Sequence, residues 1–322
     1  LNNADQQEAQ IVSQIKLIRI ALLLNIVLFG CPFLGTAQKK KEKQPRTGTP
    51  VLWREPVGIE ARNLLTGAGG DAMKPDTSQV TFIKDETGGH SRKFRVRDAA
   101  GNIWIAKVGA ESQSEAASNR LVWAAGYESE IVYLVPRLTV AGKGNFENVR
   151  LEARPKNIKR EAEWSWTDNP FKGTRELQGL KIMMLLINNW DMKDSNNQIL
   201  WTTNEATGQP ELLYVISDLG GTLGKTGGIF SRSRNKPADF VKSDFIKEVK
   251  NNVIKFNYSG KNQALFEGIT VDDARWLAGW LGKLSDDQLK DAFRAANYSA
   301  ADVEAMAQAT RERINLLVHI GQ

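Results

Sequence analysis

Apolar positions along this chain fall into blocks of different period. Residues 20–30, IALLLNIVLFG, form a short apolar run behind Lys16 and Arg19. Pro32 and the small residues Gly35 and Ala37 follow, the layout of an export signal cut after Ala37. The run is short and broken by Asn25 and Pro32, so it is a poor membrane span. An uncleaved anchor over 1–37 is the alternative. Residues 38–50, QKKKEKQPRTGTP, are charged and carry Pro and Gly, which predicts a disordered linker and folded structure from about Val51.

From 79 to 108 the period shortens to two. VTFIKDE, KFRVRD and NIWIAKVG alternate or are rich in β-branched residues, with TGGHSR and DAAGN between them. They predict an antiparallel meander of three strands. Next, ESQSEAASNRLVWAAGY puts Ala117, Leu121, Ala124 and Ala125 on one helical face and ends on Gly126. IVYLVPRLTV and NVRLEAR predict two further strands. Five strands with one helix after the third make a small β-rich lobe, taken as 51–154.

Beyond 155 the pattern changes again. Residues 155–174 show no regular period. GTRELQGLKIMMLLINNW is apolar nearly all round, which predicts a buried helix. QILWT and ELLYVISD read as a strand pair joined by TNEATGQP. After DLGG comes a basic, Gly-rich stretch through Lys242, and the final third reads as helical. Ser285 with Gln288 forms a capping box, and Ser299 with Asp302 opens another helix. Residues 155–322 thus predict a larger, mostly helical lobe, and the fold class is α+β.

Composition changes this picture little. Apolar content of 41% and charged content of 25% are ordinary for a globular chain. The net charge of +6 suits an anionic partner such as a nucleotide or an anionic lipid surface; nucleic acid is not expected. The single cysteine, Cys31, lies in the leader within LFGC, which resembles a lipoprotein processing site, so a lipid tether is a further alternative. A periplasmic or cell-envelope location is expected. With His90 and His319 the only histidines, a His-rich metal site is excluded. Thiol catalysis in the mature domain, a G-x-S-x-G elbow and a P-loop are excluded too. Trp164 and Trp166 in WSW suit core packing better than sugar stacking.

Five polar elements remain, in an order that phosphoryl transfer requires. Gly88, Gly89 and Ser91 lie in the first hairpin turn, where glycines permit close backbone approach to phosphates; a plain hairpin needs glycine as well. Lys107 sits in an apolar strand, though an edge strand also uses lysine. Glu115, with Glu111 as runner-up, stands near the start of the next helix, where a dipole alone favours an acid. Asp191, Lys193 and Asn196 form D-x-K-x-x-N directly after the buried helix. Asp218 ends the strand YVIS before Leu-Gly-Gly.

Singly each of these has a plain structural explanation; together and in order they do not. IWIAK resembles the VAIK strand of protein kinases, DMKDSN their HRDLKPEN loop, and SDLGG their DFG element. Asn189 and Trp190 depart from the His and Arg that brace that loop. The chain therefore resembles the protein kinase-like superfamily across about 79–322. Its variant motifs look closer to atypical branches, HipA-type, CotH and secretory-pathway kinases, than to ordinary Ser/Thr kinases. It also resembles exported bacterial proteins that share LWREP (here 52–56), DNPFKGTREL (168–177) and NNWDxKDxNN, a likeness that names no activity.

The resemblance implies a two-lobed kinase-like fold with ATP between the lobes. It makes Lys107, Glu115, Gly88, Gly89 and Ser91 the nucleotide contacts, with the base near backbone groups of Glu152–Arg154. Asn196 and Asp218 would hold Mg2+ or Mn2+, Asp191 would serve the acceptor hydroxyl, and Lys193 would neutralise the transferring phosphoryl group. Residues 220–236 would form an activation or substrate loop. The acceptor, whether protein, glycan or small molecule, is left open. A pseudokinase that only binds nucleotide or a partner, and an AMP transferase, stay as alternatives, with a sugar-binding or structural protein behind them.

Overall fold

Strict alternation decides which way the sheet faces. The computed structural model describes residues 45–88 and 91–321. The leader and anchor reading, Cys31, most of the linker, and Gly89 fall outside the described residues. The first element, β1 (Thr49–Val51), takes in two residues of the expected linker. The meander follows as β2 (Thr81–Glu86), β3 (Lys93–Arg97) and β4 (Ile103–Lys107), then helix α1 (Ser112–Ala124), β5 (Val132–Val140) and β6 (Gly144–Ala153). These five strands form one antiparallel sheet in the order β2-β3-β4-β6-β5.

Phe94, Val96, Trp104, Ala106, Val149 and Leu151 all point to one face and build a small core. Burying each large apolar side chain there contributes about 1.5–3 kcal/mol. The opposite face then carries what is left of the alternation. Across three neighbouring strands these are Lys93, Lys107 and Arg150, in direct register. The same period that builds the core thus sets three cations side by side on the opposite face.

In the helical lobe β7 (Lys159–Ala162) comes first, then α2 (Arg175–Leu186), β8 (Asn197–Thr203) and β9 (Pro210–Ile216). The four-stranded sheet runs β1-β9-β8-β7, with β1 parallel to β9. β7 corrects the expectation of irregular structure. It is a charged edge strand, KREA, and an edge needs no apolar face to pair. Next come α3 (Pro237–Lys242), a hairpin of β10 (Ile246–Lys250) and β11 (Val253–Phe256), and the helices α4 (Val271–Leu281), α5 (Asp286–Arg294) and α6 (Ala300–Val318).

The hairpin corrects the all-helical expectation for the last third. Its turn is Asn251-Asn252, both at positive φ (51° and 64°), the pairing that a two-residue hairpin turn favours. The capping signals hold. Gln288 N–H donates to Ser285 Oγ at 3.1 Å and Ser285 N–H to Gln288 Oε1 at 2.9 Å. Ser299 Oγ accepts from Asp302 N–H at 3.2 Å. Leu289, Phe293, Val303, Met306, Ile314 and Leu317 are buried, as their spacing predicts. The architecture is a two-lobed α+β arrangement, a small antiparallel sheet with one helix beside a larger, mostly helical part.

Candidate active site

The buried helix α2 ends at a turn of defined chemistry. Thr174 caps its start by accepting from Leu177 N–H at 3.2 Å. At its end Asn188 adopts φ 52°, the left-handed conformation in which asparagine is tolerated. Asn188 N–H then donates to Leu185 O at 3.0 Å, and Asn189 N–H to Met184 O at 2.8 Å. These two bonds satisfy helix-end carbonyls and turn the chain sharply. The polar run after LKIMMLLI is therefore a loop thrown from a rigid, buried stem.

That loop folds around Asp191. Asn189 Oδ1 accepts the Asp191 N–H at 3.0 Å. Asn196 Nδ2 donates to Asp191 O at 2.6 Å and to its Oδ2 at 3.3 Å. Lys193 Nζ lies 3.0 Å from Oδ2, and Lys261 Nζ donates to Oδ1 at 2.6 Å. Burial pulls the Asp191 carboxyl upward, but the bonds from Lys261, Lys193 and Asn196 outweigh it and hold the group below its ordinary value.

Strand pairing brings the next acid in. β8 starts directly after Asn196 and pairs with β9 so that Asn197 faces Ile216. The backbone N–H groups of Ser217 and Asp218 both donate to Asn196 O, at 2.8 and 3.1 Å. Asp218 then reaches across the lobes to Lys107, 3.3 Å away. Burial pulls its carboxyl up, yet Lys107 and the Gly220 N–H hold it below the ordinary value. Gly221 permits this crowding, since a Cβ there would lie 2.9 Å from Asp191 Cβ.

Lys107 is almost fully buried and meets three acids. Glu115 and Glu111 each approach to 2.8 Å, so the expected partner and the runner-up both reach it. Glu115 continues to Arg150, and Arg150 to Glu152 at 2.8 Å. Arg154 and Arg160 close on Glu152, and Arg160 on Glu130 at 2.6 Å. Burial raises the Glu115 carboxyl against the pull of Arg150 and Lys107. The charges of Arg150 and Glu152 had no signal in the sequence beyond alternation, because nothing local says that a strand face meets another charged face.

Asp191, Lys193, Asn196, Asp218, Lys107, Glu111 and Ser91 line one cavity of about 550 Å³. Glu115 lies behind it, second to Lys107. Gly88 is exposed on the hairpin turn and is not part of the wall. The Ser91 hydroxyl donates to Glu111. At Glu152–Arg154, where the base is expected, two backbone donors are already engaged. The N–H groups of Ala153 and Arg154 are spent on Ile131 O and Ile103 O, at 2.9 and 2.8 Å, because the sheet continues to that point. Trp164 and Trp166 are buried against each other with centroids 4.9 Å apart, in the core rather than at a binding face.

Two oxygens of this wall fit a hard divalent cation. Asn196 spends its Nδ2 on Asp191, and its Oδ1 accepts no hydrogen bond from the described residues. Asp218 engages Lys107 and Gly220 through Oδ1, which leaves Oδ2 open. Among the described residues no cluster of three or more His, Cys, Asp or Glu is disposed around a metal. One carboxylate and one amide suit Mg2+, which keeps waters and completes its shell with phosphate oxygens.

Sequence reasoning missed the clamp behind Asp191. Besides its bond to the carboxylate, Lys261 donates its N–H to Trp190 O at 2.9 Å, and Tyr258 Oη donates to Lys261 O at 2.8 Å. Asn262 Nδ2 donates to Met192 O at 2.5 Å. At Gly260 a Cβ would fall 2.8 Å from Trp190 Cα, so only glycine lets the two segments touch. This segment braces the loop where Asn189 and Trp190 depart from the kinase pattern. Arg313, buried without a carboxylate partner, was missed as well. It donates to Leu186 O at 2.6 Å, Asn188 Oδ1 at 3.1 Å and Phe240 O at 2.9 Å, and burial lowers it to about 10.

Lys261 gives a pH-dependent expectation. A carboxyl held below its unfolded value, about 3.9 for Asp, stabilises the fold above that pH and loses its contribution as pH falls through the folded value. Lys261→Met removes part of the hold. The stability gap from wild type, read by urea unfolding, should reach at most about 1 kcal/mol near neutral pH, since the Lys261 side chain is 40% exposed. The gap should narrow as the solution is acidified below about pH 4. A gap that ignores pH would mean that Lys261 acts by packing alone.

No protein-family model matches this chain, and no curated protein matches it significantly. Among solved structures, the Helicobacter pylori proinflammatory kinase CtkA is similar over 76% of this chain and 95% of its own, at 11% identity and a TM-score of 0.47. A Rio2 kinase complex with ADP/Mg2+ and phosphoaspartate from Chaetomium thermophilum is similar over 75% and 73%, at 10% identity and a TM-score of 0.30. At such low scores, the functional reading stands on this chain's own geometry.

Proposed function

We propose that this protein is an ATP-dependent phosphotransferase. One observation carries the reading: a buried lysine, held by a helix acid, shares a cavity with Asp191, Asn196 and Asp218 drawn from the other lobe. A structural ion pair would need no open cavity beside it. Lys107 would hold the phosphates, positioned by Glu115. Asn196 Oδ1 and Asp218 Oδ2 would hold Mg2+ or Mn2+. The nucleotide supplies the phosphoryl group, and the cation neutralises its charge.

The rest is done by the chain. As the acceptor oxygen forms its bond to phosphorus and the bond to the leaving diphosphate breaks, the hydroxyl proton passes to Asp191. A carboxyl held below its ordinary value is a weak base. That suits phosphoryl transfer, in which positioning and charge stabilisation outweigh early proton removal. Lys193, bound to the same carboxylate, would meet the negative charge of the transferring group. The leader-like pattern over 1–37 supports an exported location, with release, lipidation at Cys31 or an anchor as its three forms.

A second reading, nucleotide binding without turnover, is favoured by one contact. Glu111 sits on Lys107 and is itself paired with Arg234, so a carboxylate already occupies the place of a phosphate. One experiment separates the readings. Mg·ATP at about 100 times its Kd should stabilise the protein by about 2.7 kcal/mol, and γ-labelled ATP should transfer label to an acceptor or to the protein. Stabilisation without any transfer supports the pseudokinase. Transfer from α-labelled ATP instead identifies an AMP transferase, and no stabilisation at all rejects nucleotide binding.

A further inference from the structure

The cavity wall carries more positive charge than a triphosphate site built on Lys107 explains. Six cations, Lys93, Lys107, Lys193, Lys261, Arg232 and Arg234, face three carboxylates, Glu111, Asp191 and Asp218. Four of the six are committed to those acids. Among the described residues Lys93 and Arg232 have no carboxylate partner. Lys93 stands directly across from Lys107 in the sheet, on the nucleotide side of the wall. Arg232 comes from the other lobe, on the segment after Asp218, and its guanidinium lies over the Trp190 ring at 4.1 Å.

A guanidinium held over an aromatic ring keeps N–H groups free for another partner. Among the described residues the Arg232 guanidinium makes no hydrogen bond, so those groups are an unspent, planar donor fork next to the loop of Asp191. Such a fork matches a carboxylate in bidentate fashion. Two and three residues earlier the same segment exposes Phe230 (103%) and Ile229 (74%). A small anion would leave both uncovered, whereas an extended chain entering past Arg232 would cover them.

We propose that the acceptor is an acidic polypeptide segment, its carboxylates read by Arg232 beside Asp191 and its apolar residues laid on Ile229 and Phe230. This rests on the phosphotransferase reading for the word acceptor, but its binding part does not need catalysis. The test uses the full chain without nucleotide. Two fluorescein-labelled peptides carry one serine, flanked in one by Glu and in the other by Gln, with a Leu at one end of each. By anisotropy the Glu peptide should bind about tenfold more tightly. Arg232→Gln should reduce that preference to near unity, Arg232→Lys should retain part of it, and Phe230→Ala should weaken both peptides alike.

Equal affinity for the two peptides, or a preference that survives Arg232→Gln, would overturn the proposal. So would tighter binding of a charge-matched single-stranded oligonucleotide. Transfer of γ-phosphate equally to both peptides would sink the acidic acceptor while leaving the enzyme reading intact. Selective binding of the Glu peptide with no transfer under Mg·ATP would support the surface and count against the enzyme.

Discussion

Asp191→Ala is expected to lower phosphoryl transfer by about 10²–10⁴-fold while Mg·ATP affinity is retained. The expectation follows from where the side chain's bonds go. Asp191 meets Lys193, Lys261 and Asn196, and no atom of it approaches Lys107. Its loss leaves the lysine and metal-facing oxygens in place. It also frees two ammonium groups at the cavity wall, so nucleotide affinity should hold or rise rather than fall. Asp191→Asn keeps the shape but cannot take the proton, and should be nearly as slow. Label transfer and calorimetry on the same variants separate the two effects. If Asp191→Ala turns over like wild type, the role given to the loop is lost, whatever the nucleotide does.

The second large effect concerns Asp218. Asp218→Ala should weaken magnesium-dependent nucleotide binding by at least about 100-fold, the upper range seen when mere outer partners of a metal are removed. Two causes act together. The variant loses the one carboxylate oxygen that is free to meet a cation, and it leaves Asn196 alone. It also removes one of three acids around a buried lysine and leaves the Gly220 N–H without its partner. Nucleotide titrations with and without magnesium should coincide in this variant and differ in wild type. Curves for the variant that still separate would show that the cation sits elsewhere.

Some of this was legible residue by residue. The apolar period of two predicted β2, β3 and β4, and with them the face on which Lys107 lies. The all-round apolar stretch 180–187 predicted the buried stem, and the Asn-rich run after it predicted the loop. Ser285 and Ser299 announced two helix starts through their own side chains. Each of these signals is local, because period, capping and turn preference are set within a few residues. β7 had no such signal because an edge strand of charged residues needs none. The β10–β11 turn had one, in Asn251-Asn252, that the helical reading of the last third passed over.

The clamp was of another kind. Nothing near Lys261 in sequence names Asp191, 70 residues earlier, as its partner. Gly260 looks like an ordinary loop glycine until Trp190 Cα is found against it. Glu111 and Glu115 were both on offer for Lys107, and only the orientation of α1 shows that both reach. Arg150 and Glu152 were legible only as residues of a predicted strand. Burial behind Lys107 made them links in a charge network.

By itself, then, the amino-acid order determined the elements and the list of groups able to do chemistry, since period, capping and turn preference act over a few residues. Tertiary structure alone decided which of those groups meet. Charge pairing between lobes depends on distances set by the packing of two separate cores, and no short stretch of chain contains that information.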